Sequence, residues 1–251
     1  MISNKGKLLL KTPYRYSSLM TEERKNSFIK RVLKAQSCVK QEYNYMDSFD
    51  NRFPNTNLNP KPGDSSVLIP LVNIDKEAHI IYTKRSMIMR THKGQICFPG
   101  GKVDPNETWE MAALREAEEE IHLKKEQLDV WIPMFPVLDR GMTKTVTPII
   151  AEIICPEAIK HLHSVTEEVD VVIAVPIMEL ATHHHYTLFK MKFVLPLPYY
   201  ESSKFRVLYA KDKNYVKPEM YRIWGLTGAL THFFLLSYVP EIYKAKVKLP
   251  F

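Results

Sequence analysis

The stretch Phe98–Leu123 reads FPGGKVDPNETWEMAALREAEEEIHL and joins a glycine turn to an acid-rich segment. From Met111 onward, apolar residues recur at helical spacing while acidic residues fill the opposite face, which predicts an amphipathic helix. Asp104, followed by Pro105 and three residues later by Glu107, is typical of a helix N-cap. The segment therefore predicts a turn that leads into a helix with one acidic face.

Three glutamates of this helix share that face. Residues at positions i, i+3 and i+4 of a helix are neighbours, which brings together Glu116, Glu119 and Glu120. We expect no lysine or arginine four residues away on the same face, so the like charges repel unless a cation binds among them. Mg²⁺ or Mn²⁺, which prefer oxygen ligands, are the natural candidates, and a solvated acidic face is the alternative. Gly100 and Gly101 let a ligand approach the backbone, and the Gly100 carbonyl could add a metal ligand.

The spacing of the segment resembles the signature of a known family. It is similar to the Nudix box, G-x5-E-x7-R-E-U-x-E-E-x-G-U with U aliphatic, at Gly101, Glu107, Arg115, Glu116, Glu119, Glu120 and Leu123. Two positions depart from the pattern. Ala117 is smaller than the usual aliphatic residue, and His122 replaces the glycine that ends the helix. Because positive φ is costly for a non-glycine residue, we expect local strain or a reshaped helix end at His122, with the metal ligands retained.

The resemblance implies a fold of the α/β class, an α/β/α sandwich around a mixed β-sheet. It also implies that Mg²⁺ or Mn²⁺ is bound by Glu116, Glu119, Glu120 and the Gly100 carbonyl, with Glu116 and Glu119 acting in catalysis. Gly101, Glu107 and Arg115 would then be structural residues that orient the acidic helix. A further carboxylate beyond the box assists in many members of the family. Glu168 is our candidate, with Glu167 beside it, and a capping or solvated pair is the alternative.

A second group of residues precedes the turn. Thr83-Lys84-Arg85-Ser86, then Arg90, Gly94 and Phe98–Gly101, is similar to a signature of the coenzyme A (CoA) diphosphatase branch of Nudix enzymes, and other segments resemble animal mitochondrial members of it. The resemblance implies substrate contacts from Arg85, Arg90 and Phe98. Planar guanidinium groups suit phosphates, and CoA carries both a diphosphate and a ribose 3′-phosphate. For the two arginines, a salt bridge or a solvated strand edge is the alternative.

The implied reaction is hydrolysis of CoA or acyl-CoA to 3′,5′-ADP and (acyl-)4′-phosphopantetheine. A Nudix hydrolase of another nucleoside diphosphate, such as NADH or a nucleotide sugar, is one alternative. A catalytically silent Nudix-fold binding protein is another, although the intact glutamates argue against it. A small-molecule substrate is expected in the first two cases, and either a monomer or a homodimer fits the sequence.

Short β-branched and aliphatic runs surround the box and predict the strands of the sheet. They are Val67–Val72, His79–Thr83, Leu128–Val137, Val146–Ile154, Val169–Val175, Tyr186–Leu195 and Phe205–Tyr209, the first two forming a hairpin. A last helix is predicted over Ile223–Tyr238, in which we interpret Trp224 as a core residue. This run is too short and too interrupted for a membrane span. The catalytic domain is predicted to cover residues 65–240.

The basic charge of the chain is concentrated at one end. Residues 1–40 contain ten Lys/Arg and two acids, whereas the whole chain carries a net charge of +7, so the remainder is close to neutral. We therefore expect no nucleic-acid partner. Residues 1–21 contain no acid, as in mitochondrial transit segments, and Thr21–Val39 has the pattern of an amphipathic helix. We predict a basic leader over residues 1–45 and a mitochondrial location, with a cytoplasmic or peroxisomal location as the alternative.

The three cysteines, Cys38, Cys97 and Cys155, are odd in number and far apart in sequence. This spacing indicates neither a disulfide framework nor a zinc site.

Overall fold

A computed structural model describes residues 19–43, 60–139, 143–190 and 194–246. The strands are β1 Ser65–Ile74, β2 Glu77–Arg85, β3 Ile96–Cys97, β4 Gly100–Lys102, β5 Leu128–Pro133, β6 Val137–Leu138, β7 Thr145–Ile153, β8 Val169–Pro176, β9 His184–Lys190, β10 Val194–Ser202, β11 Arg206–Ala210 and β12 Tyr221–Ile223. The α-helices are α1 Glu22–Tyr43, α2 Trp109–Ile121, α3 Ala158–His161, α4 Ile177–Thr182 and α5 Gly225–Tyr238, and a 3₁₀ turn spans Lys125–Gln127.

The larger sheet is mixed. Its main path runs β11-β8-β2-β1-β7-β5, with the short strands β3, β4 and β6 paired to β2, β1 and β7. The β1–β7 pair is parallel, whereas β1 and β2 form the predicted antiparallel hairpin. Strands β12, β10 and β9 form a second, three-stranded sheet. This arrangement places the turn after β4 and the start of α2 beside the centre of the larger sheet.

Each face of the larger sheet is covered by a separate apolar layer. Along β1, Leu68 and Val72 pack on the α2 side, while Ile69 and Leu71 pack on the side that holds α1 and α5. This alternation follows from the two-residue period of a strand. The result is the three-layer α/β/α sandwich expected from the sequence.

Helix α1 is packed against the domain rather than projecting from it. Phe28 is 0% exposed and lies 5.7 Å, between ring centroids, from both Phe234 and Tyr238 of α5, and 6.0 Å from Trp131 of β5. The Tyr238 hydroxyl donates to the Leu19 carbonyl at 2.9 Å. The amphipathic part of the predicted leader therefore contributes to the core, while residues 1–18 lie outside the described residues.

Several predicted boundaries are wrong. The single strand predicted over Tyr186–Leu195 is two strands, since β9 ends at Lys190 and β10 begins at Val194, and no Gly, Pro or Asn between them marks a turn in the sequence. The strand predicted from Leu128 ends at Pro133, with residues 137–138 forming the separate strand β6. The last helix begins at Gly225 because the preceding residues continue as β12. No described helix is long and apolar enough to cross a membrane.

A buried histidine of α5 should make the stability of the fold depend on pH. His232 is 0% exposed, its Nδ1 lies 2.6 Å from the Tyr243 hydroxyl oxygen, and burial lowers its pKa to about 4. Its ordinary pKa is 6.5, so the unfolded chain binds the proton more tightly than the folded one. The contribution of neutral His232 to the free energy of unfolding is complete above pH 6.5. Protonation of the unfolded chain lowers this contribution as the pH falls, by about 2 kcal/mol at pH 5.

Urea denaturation between pH 7 and pH 5 measures this dependence. The variant His232→Gln should flatten the profile, and His185→Gln, which changes an exposed histidine of β9, should not. A profile for His232→Gln as steep as that of the parent would contradict the assignment.

Candidate active site on the acidic helix

Helix α2 begins later than the sequence predicts. Its N-cap is Thr108, whose hydroxyl accepts from the Met111 N–H at 3.1 Å, and not Asp104. Asp104 and Glu107 instead close a turn ahead of the helix, in which the Asp104 N–H donates to Glu107 Oε2 at 3.0 Å. Thr108 is the better cap because its hydroxyl meets a free N–H of the first helical turn. The turn fixes Glu107 beside the helix.

Arg115 organises the carboxylates of the box. Its Nε and Nη2 donate to the two oxygens of Glu107 at 2.8 and 3.0 Å, and its Nη1 donates to Glu116 at 3.0 Å and to Glu119 at 3.2 Å. The Lys102 carbonyl also accepts from Nη2, at 3.1 Å. The expectation that no basic residue serves this face is wrong, because Arg115 lies four residues before Glu119. Its hydrogen bonds hold the pKa of Glu107 below the ordinary value.

Glu120 is the most unusual carboxylate of the site. It is 4% exposed, and its Oε2 is buried with no hydrogen-bond partner among the described residues. Burial raises its pKa to about 8, with a further rise from Glu116, while Arg85 and a hydrogen bond from the Gly100 N–H oppose the rise. A buried carboxylate oxygen without a partner is costly unless a cation or a proton compensates it. No sequence feature distinguishes Glu120 from the neighbouring glutamates.

The glycine turn brings the backbone against the helix. Gly100 pairs with Val67 of β1 at a φ of +153°, and a Cβ there would overlap the β1 backbone. A Cβ on Gly101 would overlap the Glu116 carboxylate. Burial raises the pKa of Glu116, and Arg115 opposes this effect. Close approach to the β1 backbone therefore requires glycine at position 100, whereas a side chain at position 101 would displace the Glu116 carboxylate.

A second side of the site comes from the ends of β2 and β8. Arg85 Nη2 donates to Glu168 Oε2 at 3.2 Å, and Glu168 is close enough to raise the pKa values of Glu116 and Glu120. Glu167 instead pairs with Lys211 at the surface. Of the two candidate carboxylates beyond the box, only Glu168 faces the acidic cluster.

The glutamates do not form a ready-made metal cage. No group of three His, Cys, Asp or Glu side chains in the described part of the chain is arranged to hold an ion. The reason is visible in the contacts, because Glu116 and Glu119 turn toward Arg115 while Glu120 stays under the Gly100 turn. Among the described residues, two guanidinium groups face six carboxylates, so the donor set and its excess negative charge fit a divalent cation. The carboxylates are those of Asp104, Glu107, Glu116, Glu119, Glu120 and Glu168.

His122 ends α2 in the left-handed conformation that the family glycine would adopt. Its φ and ψ are 58° and 32°, and its N–H donates to the Glu118 carbonyl at 3.0 Å, while the Leu123 N–H donates to the Ala117 carbonyl at 3.2 Å. Its ring lies 4.5 Å from that of His163. The helix end is thus not reshaped, and the ring contact accompanies the strained conformation.

Three other side chains that the sequence singled out differ in their exposure to solvent. Phe98, predicted to contact substrate, is 4% exposed and stacks on Tyr82 at 4.7 Å, so its ring belongs to the core. Arg90 is exposed on the loop after β2 and forms no ion pair with any described residue. Trp224, interpreted as core, is 44% exposed at the start of α5. Sequence pattern alone did not indicate Cys97, a half-buried residue beside Arg85 whose thiol has its pKa raised to about 11 by desolvation.

The Arg115 network should matter for function more than for folding. In Arg115→Lys the charge remains, but the planar fork that joins Glu107 to Glu116 and Glu119 is lost. We expect catalytic efficiency to fall about 10- to 100-fold, as for other residues that orient metal ligands, with little change in thermal stability. Steady-state kinetics alongside a thermal melt measure both quantities. Unchanged kinetics would show that the fork does not orient the glutamates.

Comparison with known proteins agrees with this geometry. Residues 63–194 match the NUDIX domain, so the chain belongs to the Nudix family and is a hydrolase of diphosphate bonds in nucleoside diphosphate derivatives. It is 37% identical over 182 residues to Nudix hydrolase 3 of Caenorhabditis elegans, covering 71% of this chain and 75% of that protein. It is 31% identical over 198 residues to the mitochondrial coenzyme A diphosphatase NUDT8 of Homo sapiens (76% and 75% covered) and 30% identical over 199 residues to that of Mus musculus (77% and 86%).

Proposed function

We propose that the protein hydrolyses the diphosphate bond of CoA or an acyl-CoA, giving 3′,5′-ADP and 4′-phosphopantetheine or its acylated form. The observation that carries the proposal is the meeting of Arg85 and Glu168 with the box glutamates in one site. A phosphate-binding guanidinium beside an acidic cluster is what a metal-assisted diphosphatase requires. The similarity to the mitochondrial coenzyme A diphosphatases of human and mouse supports CoA as the substrate.

In this proposal Glu116, Glu119 and Glu120, with the Gly100 carbonyl, hold Mg²⁺ or Mn²⁺. When bound, the ion neutralises diphosphate oxygens and lowers the pKa of a water molecule. Glu168 would accept the proton of the attacking water, a role that the 45% exposure of its side chain supports. Arg115 keeps Glu116 and Glu119 oriented, while Arg85 binds a diphosphate oxygen. The water attacks phosphorus, the bridging P–O bond breaks, and the second phosphate leaves.

We assign Arg90 to the ribose 3′-phosphate because it is exposed on the loop after β2, beyond Arg85 in the sequence, and forms no ion pair with a described residue. Arg90→Gln should raise KM for CoA about tenfold through loss of a charge-assisted hydrogen bond. It should change KM for dephospho-CoA, which lacks that phosphate, by less than about twofold. Lys93→Gln, on the same exposed loop, is the charge-matched control. Equal effects of Arg90→Gln on both substrates would contradict the assignment.

The nearest rival is a Nudix hydrolase of NADH or a nucleotide sugar. Rates on CoA, dephospho-CoA, NADH and a nucleotide sugar, measured side by side with Mg²⁺ and with Mn²⁺, separate the two. A mitochondrial location is proposed on the acid-free composition of residues 1–21 and on the human and mouse relatives. Fluorescence of the full chain fused at its C-terminus to a fluorescent protein tests it.

A further inference from the structure

Arg85 is held at the site by both its backbone and its side chain. It ends β2 where the register with β8 shifts between Lys84 and Arg85. Its Nη2 donates to Glu168 Oε2 at 3.2 Å, and the next N–H, that of Ser86, donates to the Glu168 carbonyl at 2.7 Å. The end of β2 is thereby tied to the segment that leads into β8.

The guanidinium of Arg85 lies within the acidic cluster rather than at its rim. Its side chain is 20% exposed, and its Nε is buried with no hydrogen-bond partner in the described ranges. It is close enough to lower the pKa of Glu120, whose own buried Oε2 is also unpaired. Among the described residues, the guanidinium Nε of Arg85 and the carboxyl Oε2 of Glu120 are therefore both buried without a hydrogen-bond partner, on side chains that interact electrostatically.

The two guanidinium groups of the site serve different carboxylates. Arg115 is engaged by Glu107, Glu116 and Glu119, and it makes no hydrogen bond to Glu120 or Glu168 among those the structure describes. Arg85 faces these two remaining carboxylates. A divalent cation that approaches Glu120 must therefore come close to the positive charge of Arg85, and charges a few ångströms apart at a partly buried site interact strongly.

We propose that Arg85 is the internal counter-cation of the site. It compensates Glu120 and Glu168 in the metal-free protein, competes with a divalent ion for Glu120, and turns from Glu168 to the diphosphate once ion and substrate are present. Arg85 would thus link metal binding to substrate binding, since the phosphate oxygens attract it away from the carboxylates. Only the contact to the diphosphate rests on the proposed function, because competition with the ion needs no substrate.

The test is a calorimetric titration of the full chain with Mn²⁺ in the absence of substrate, which measures the affinity for the ion. Arg85→Gln should bind Mn²⁺ about tenfold more tightly than the parent, although it should hydrolyse CoA more slowly. Arg85→Lys, which keeps the charge, should bind Mn²⁺ like the parent. Arg222→Gln removes an arginine that pairs with Glu201 on the smaller sheet and should change neither quantity. Weaker or unchanged Mn²⁺ binding by Arg85→Gln would overturn the proposal.

A crystal structure of the parent with Mn²⁺ and methylenediphosphonate, a diphosphate analogue without a P–O–P bond, tests the proposal without any variant. The Arg85 Nη2 to Glu168 Oε2 distance should lengthen from 3.2 Å to more than 4 Å, with Arg85 bonded to a phosphonate oxygen. An intact Arg85–Glu168 ion pair in that crystal structure would overturn the proposed movement of Arg85 from Glu168 to the diphosphate. If CoA is not hydrolysed but these results hold, only the substrate assignment fails. If CoA is hydrolysed but they do not hold, only the role of Arg85 fails.

Discussion

Glu120→Gln should lower kcat/KM for the diphosphate substrate on the order of 10³-fold, while the protein remains folded. The amide has the size of the carboxyl group but no charge to hold a divalent ion. Glu120 is 4% exposed and its Oε2 has no hydrogen-bond partner among the described residues. A water molecule could therefore not easily take its place as a ligand of the ion. Because burial already disfavours its charged form, the neutral amide should not destabilise the metal-free protein.

Steady-state kinetics and a thermal melt with and without Mg²⁺ measure the two parts of this prediction. Glu118→Gln is the matched control, since Glu118 is an exposed glutamate of the same helix. It should retain the parent rate. A Glu120→Gln variant with more than about a tenth of the parent activity would remove Glu120 from the catalytic machinery.

Phe28→Ala should lower the free energy of unfolding by about 3–5 kcal/mol. The ring of Phe28 is fully buried among three aromatic rings contributed by α5 and β5, and alanine would leave a cavity there. This prediction bears on where a leader could be cleaved, because cleavage after residue 45 would also remove α1. Any processing that leaves the described fold intact should therefore spare this helix.

Urea denaturation of the full chain provides the measurement. Leu33→Ala, on the same helix but 52% exposed, should cost less than about 1 kcal/mol. If both variants lose the same small amount, α1 does not stabilise the domain, and its packing against α5 has no energetic consequence.

The fold was predictable where a sequence pattern is compatible with only one type of secondary structure. Short β-branched and aliphatic runs predicted the β1–β2 hairpin, and the spacing from Gly101 to Leu123 indicated both the acidic helix and its family. The strand predicted over Tyr186–Leu195 failed because the sequence between β9 and β10 contains no Gly, Pro or Asn that would indicate a break. Helix α1 was assigned to a leader on its charge, yet the burial of Phe28 against α5 depends on contacts distant in sequence.

The sequence indicated candidate residues for the site but not how their side chains are arranged. Spacing brought Glu116, Glu119 and Glu120 to one face, yet it could not show that Arg115 holds two of them while Glu120 lies buried. The pairing of Arg85 with Glu168 joins residues 83 positions apart and follows from the register of β2 with β8. The burial of Phe98 against Tyr82 was not predictable, because its family position carries no information about which side of the sheet its ring faces.

Incubation of the purified full chain with CoA and Mg²⁺, with separation and mass identification of the products, tests the central claim most directly. We expect equal amounts of 3′,5′-ADP and 4′-phosphopantetheine from the parent, and none above background from Glu120→Gln. Intact CoA after incubation with Mg²⁺ or Mn²⁺, together with turnover of NADH or a nucleotide sugar by the same preparation, would contradict the assignment of CoA as the substrate.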